Sequence, residues 1–258
     1  PRSTLFPYTT LFRSHKTKGI VLRTVKYGEA GLIVSVYTEL FGMQSYIING
    51  IRRAGKKGHS RANLFQPSSM LELVVYHNEL SNLQRIREYK WDYLYQTAPF
   101  DIKKNTVLLF MVELLQKTLR QPEQNEELYY FIEDAFRYLD QGSDGVVANF
   151  PLFFALHLSF FYGFRITDNY SVQKNILDLR EGNFVTSAPS HPGFLEGQLS
   201  YITSQLLKVR LPSELGQFQL NATVRRNLLQ AYQDFYALHV PEFGTLRSVK
   251  ILQEILSE

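Results

Sequence analysis

The chain has 258 residues, 45% hydrophobic and 20% charged, which is the composition of a globular protein rather than a disordered or fibrous one. It contains no cysteine, so disulfides, thiolate zinc sites and cysteine nucleophiles are excluded. The formal charge of +4 hides a division: residues 15–90 carry 12 Lys/Arg against 5 Asp/Glu, and residues 91–258 carry 14 against 19. A positive front part and a negative rear part suggest that the front meets a polyanion. No run approaches the roughly 18 uninterrupted apolar residues of a membrane-spanning helix. No secretory signal is visible, so a soluble intracellular protein without a membrane partner is expected.

Residues 1–14 show no sustained period, and LFPYTTLFRS (residues 5–14) reads like the translation of a sequencing-adapter oligonucleotide. They are set aside as a non-native leader upstream of a start near His15, the alternative being a poorly ordered arm. From there to residue 90 the period is that of short strands: GIVLRTVKY (19–27), LIVSVYT (32–38), MQSYIING (43–50), 70–77 and 83–89. In the second strand Leu32, Val34 and Val36 share one face. Five strands in so short a span, punctuated by glycines, predict a small closed antiparallel barrel.

After a junction near residues 91–99 the period becomes 3.6. Val107, Leu108, Met111, Leu114, Leu115 and Leu119 line one helix face, ending before Pro122. A second helix over 127–139 turns Leu128, Phe131, Ile132, Ala135, Phe136 and Leu139 inward. Residues 152–164 are apolar nearly all round and predict a central buried helix. Three more helices are expected over 199–209, 224–239 and 246–256. A small hairpin over 176–186 turns at Glu181-Gly182-Asn183. The fold class is therefore α+β, with two domains: a barrel over 15–90 and a helical domain over 91–258, the latter carrying a hairpin insertion at about 165–193.

Catalytic chemistry is hard to find. Gly50 to Lys56 has the spacing of a phosphate loop, but position 57 is Lys where Ser or Thr must hold magnesium, and no amphipathic helix opens there. The six histidines, at 15, 59, 77, 157, 191 and 239, are scattered. His157, within an aromatic run, reads as a hydrogen-bonded core residue, and His239 suits a helix C-terminus. The acidic pairs Glu126-Glu127 and Glu133-Asp134 are expected to face solvent. The chain is thus expected to bind rather than catalyse, with no catalytic residue, metal or cofactor.

What remains is a basic loop. Arg52, Arg53, Lys56, Lys57, His59 and Arg61 fall within ten residues, with Arg23 and Lys26 on the first strand and Lys16 and Lys18 at its start. Such groups suit phosphate oxygens. The eight from Arg23 to Arg61 other than those at the strand start are the candidate DNA-binding residues. Tyr27, Tyr37, Tyr46 and Phe65 could offer faces for base stacking, against a core role for each. About four loop cations on phosphates would give a log–log salt slope near −3. A solvated, non-binding loop is the competing reading, as are a protein-interaction adaptor and an RNA-binding barrel.

The run GIVLRTVKYGEAGLIVSVYTELFG (19–42) resembles the opening of the bacterial recombination mediator RecO family. Gly50-Ile51-Arg52-Arg53, Gln66-Pro67 and YQDFYALHVPEFGTLRSVKIL (232–252) are similar to later pieces of that family, in order. The resemblance implies an N-terminal OB-fold and an all-helical C-terminal domain. It also implies binding of single- and double-stranded DNA, annealing of complementary strands, and recombinase loading onto strands coated by single-strand binding protein. Implied partners are RecR, the acidic C-terminal tail of single-strand binding protein and, indirectly, the recombinase filament, in a cytoplasmic, nucleoid-associated setting. Many members carry a four-cysteine zinc module. Residues 163–193 have no cysteine, so the insertion is expected to be zinc-less and held by packing alone.

Overall fold

The computed structural model describes residues 14–52, 61–119 and 121–256, and for Arg61 the backbone alone. The chain divides into two compact units: residues 1–93 with Pro122–Gln124, and the remainder from Leu94. The first unit is the expected barrel. Its strands are β1 (Ser14–Tyr27), β2 (Gly31–Thr38), β3 (Gly42–Ile48), β4 (Met70–Tyr76) and β5 (Gln84–Tyr93). They close in the order β1-β2-β3-β5-β4, the Greek-key closure of an OB-fold.

β1 is the longest strand because two partners share it. Ser14 to Ile20 pair antiparallel with β4, and Gly19 to Tyr27 pair with β2. It starts five residues before the expected Gly19, and its first residue belongs to the segment set aside as a leader. The alternation Lys16-Thr17-Lys18 hid this half, since its inward residue is the polar Thr17, which is buried. Gly19 sits at the changeover, where a Cβ would lie 2.6 Å from the Val36 side chain, so only glycine lets the two sheets meet there. Inside, Val21, Leu32, Val34, Val36, Tyr46, Leu71, Leu73 and Val75 form the core, plugged by Phe65 from a 3₁₀ turn over Arg61–Phe65.

The second unit begins with α1 (Ile102–Thr118), α2 (Glu126–Gln141) and α3 (Asp144–Leu158). Asp101 caps α1 by accepting from the backbone N–H of Lys103 and Lys104, and Asn125 caps α2 through Leu128, in the manner short polar side chains favour. All six residues expected on the inner face of α1 are buried. α3 begins eight residues before the expected Leu152 and gives way to a 3₁₀ turn over Ser159–Tyr162. Pro151 lies inside it and removes one backbone donor, a cost its burial on nearly every side overcomes. The span Asp144–Tyr162 is long and apolar enough to cross a membrane by composition, but 67% of it is buried within the protein; it is the core of this unit.

Glu133 departs from expectation. It is buried, because Arg137 one turn later folds over it with Nε 3.2 Å from the carboxylate. A second buried carboxylate, Asp140, holds the start of the unit. It accepts from the N–H groups of Gln96, Thr97 and Ala98 at 2.7–2.8 Å, while Lys104 Nζ donates to the Asp140 carbonyl at 2.7 Å.

The insertion is a three-stranded sheet: β6 (Ile176–Asp178), β7 (Asn183–Val185) and β8 (Phe194–Leu195). Packing alone does not hold it, contrary to expectation. Asp178 Oδ1 accepts from the N–H groups of Arg180 and Glu181 and lies 3.4 Å from His191 Nε2. Asn169 clamps Phe184 by exchanging both backbone hydrogen bonds with it. α4 (Gly197–Leu207), a 3₁₀ turn over Pro212–Gln217, α5 (Ala222–His239) and α6 (Ser248–Ile255) complete the unit. The N-terminus of α6 is capped from α1, where Glu113 accepts from Arg247 N and Ser248 N.

Candidate nucleic-acid interface

β3 ends at Ile48 and the chain turns through Gly50, which has a positive φ of 69°, a conformation that suits glycine. Ile51 tucks into the barrel core. Arg53, Lys56, Lys57 and His59 lie outside the described residues, as does the Arg61 side chain.

Arg52 is described, and it is committed. Its guanidinium donates to the carbonyls of Gly28 and Glu29, both at 2.7 Å, and of Gly31 at 3.2 Å, while its N–H donates to the Ala30 carbonyl. One fork thus straps the whole β1–β2 turn. The carbonyls are satisfied by donors that phosphate would otherwise take, so Arg52 holds the turn rather than offering a free cation.

Arg23 and Lys26 are both exposed, but strand alternation puts them on opposite sides. Arg23 pairs across β2 with Ser35, an outward position, whereas Lys26 pairs with the core residue Leu32 and sits at the barrel mouth. A β-bulge between Val21 and Arg23 sets this phase.

Two sides of the barrel differ in charge balance. On the β1–β4–β5 side a depression of about 420 Å³ is lined by Lys16, Lys18 and Lys90 against Glu39, Glu72 and Glu88. There Lys90 pairs with Glu72 at 2.8 Å and Lys18 with Asp92 at 3.7 Å. Those lysines are neutralised in place. Around the other side the register lines up one outward row, Val25–Ile33–Ile47–Arg85–Tyr76, each residue opposite the next. Arg23, Ser35 and Ser45 form the neighbouring row. Among the described residues, neither Arg23 nor Arg85 has an ion-pair partner. No carboxylate stands among the outward residues of β1 from Arg23 to Tyr27, β2 or β3.

The aromatics sort sharply. Tyr37, Tyr46 and Phe65 are at most 1% exposed and belong to the interior, whereas Tyr27 is 51% exposed at the edge of this side. Sequence reasoning passed over Arg85 and Tyr76, because their meeting on one face depends on the β4–β5 register. At the far end His77 stacks on Phe41 with ring centres 4.0 Å apart. Burial pushes its imidazole below the usual value, against Glu79 and with help from His15. Among the described residues no three His, Asp or Glu side chains converge as a metal site.

This geometry can hold a flexible polyanion: cations and aliphatic or aromatic surface alternate across it, with little to read base edges. Comparison with known proteins points the same way. Residues 12–95 match the family described as Recombination protein O N terminal, and residues 99–248 match Recombination protein O C terminal. The protein named DNA repair protein RecO in Phocaeicola vulgatus is 32% identical over 94% of this chain and 99% of its own. Those of Flavobacterium johnsoniae and Porphyromonas gingivalis are each 31% identical, over 94% and 93% of this chain and 99% and 98% of theirs. Both units are thus accounted for by one family, and the chain belongs to it: the recombination protein O family.

Proposed function

We propose that the protein is a DNA-repair and recombination mediator that acts by binding, without making or breaking covalent bonds. It holds single- and double-stranded DNA on the barrel, anneals complementary strands and helps load recombinase onto DNA coated by single-strand binding protein. RecR and the acidic tail of single-strand binding protein are its protein partners. The observation that carries this reading is the unpaired Arg23 and Arg85 on a side of the barrel free of outward carboxylates, in a chain of this family.

The physics is that of charge neutralisation. Two strands repel until cations displace their condensed counterions, and release of those ions favours binding irrespective of sequence. Stacking on exposed aromatic rings holds bases without reading them. The acidic helical unit supplies scaffold and docking surface. The test is an annealing assay on complementary strands precoated with cognate single-strand binding protein. The expected result is faster annealing than with coated strands alone; no acceleration, with the protein demonstrably bound, would overturn the mediator reading.

A further inference from the structure

The connection between β4 and β5 is built unlike an ordinary surface loop. Gln84, nearly buried, donates to the carbonyls of Asn78 and Ser81 and accepts from Asn78 N. Asn78 Oδ1 accepts from Leu80 N, and the Ser81 hydroxyl bonds both polar backbone groups of Leu83. The loop is thereby fixed from within, so a ligand meeting it finds a surface already ordered. Beside it lies a depression of about 600 Å³ lined by Tyr76, Asn78, Ser81, Leu83, Gln84 and Arg85, a volume within the range of small-ligand sites.

The lining leaves a specific set of groups to a ligand. Gln84 and Ser81 spend their polar atoms on the loop. Among the described residues, the Asn78 amide nitrogen and the Arg85 guanidinium have no acceptor. Both are donors only. The one carboxylate of the loop, Glu79, does not line the depression. Leu83 and the ring of Tyr76 supply apolar surface. Donors beside an aromatic ring call for a flat ligand carrying acceptors and a negative charge.

We propose that this depression is a nucleotide subsite: it takes one unstacked base of a single strand against Tyr76 and Leu83, with Asn78 donating to a base carbonyl and Arg85 to the adjoining phosphate. The proposal rests on the reading that the barrel binds DNA. It adds that the strand passes over the β4–β5 end, and that Leu80, 96% exposed at the loop tip, stands where the neighbouring base would otherwise stack.

The full-length chain is titrated with a fluorescent thymidine oligonucleotide and with an abasic strand of equal length and charge. Wild type is expected to favour the thymidine strand at least about fivefold, the low end of what stacking one base supplies. Tyr76→Ala and Asn78→Asp should each remove most of that preference while still binding the abasic strand; Asn78→Asp keeps the oxygen that caps Leu80, so folding is preserved. Arg85→Gln should weaken both strands alike and lower the single-strand salt slope by about 0.7. Equal wild-type affinity for the two strands, or preference retained in Asn78→Asp, overturns the subsite alone. Failure of wild type to bind either strand at low salt overturns the DNA-binding reading beneath it.

Discussion

Arg52 shows how a residue of the right type can be spoken for. Its fork closes on three carbonyls of the β1–β2 turn, and lysine has no such planar geometry. Arg52→Lys is therefore expected to cost about 1–2 kcal/mol of barrel stability, fewer than the full set of charged hydrogen bonds because the site is only half-buried. Urea unfolding measures that loss, and the DNA salt slope should stay put. His157 makes a different prediction. Burial lowers its pKa, partly offset by ring contacts at 3.0 Å to the carbonyls of Phe153 and Val209. His77 is shifted the same way. Below the unfolded value near 6.5 the unfolded chain binds more protons than the native one. Stability should be full above that pH and fall as the pH drops below it, and His157→Gln should shrink the difference between urea midpoints at pH 7.5 and 5.5. The histidine's core role was legible from its aromatic surroundings. The strapping by Arg52 was not, because it depends on a turn 21 to 24 residues upstream folding back to meet it.

At the scale of elements, the buried carboxylates matter most. Asp140 gathers three backbone donors of the segment leading into α1, which orders the chain from Gln96 onward. Asp140→Ala should cost about 2–4 kcal/mol, since buried donors would lose a charged acceptor, and amide exchange should rise over residues 96–98. Exchange unchanged there would show the segment to be held by other means. Sequence periodicity found every one of the six helices and five barrel strands, because each buries a stripe or a face with the proper spacing. It missed the first half of β1, whose inward side is polar, and the first two turns of α3, where Gly145 and Pro151 imitate a loop. It also set Glu133 in solvent, since helix phase alone does not reveal that Arg137 covers it.

For the molecule as a whole, the charge division along the chain pointed to the barrel as the polyanion-binding part, and the barrel is where unpaired cations stand. Their distribution was not legible. Lys18 and Lys90 count as positive in the sequence but are cancelled by Asp92 and Glu72 in space, while Arg85 gains weight by lying in line with Ile47 and Tyr76. Register, invisible in one strand at a time, decides which charges act together. The central claim is that the uncompensated cations around Arg23 and Arg85 carry DNA binding. Single-strand affinity measured against salt, for wild type and for Arg23→Gln/Arg85→Gln, tests it most directly. The account predicts a slope shallower by about 1.4 in the double variant with the fold intact by circular dichroism; an identical slope in the two proteins would contradict it.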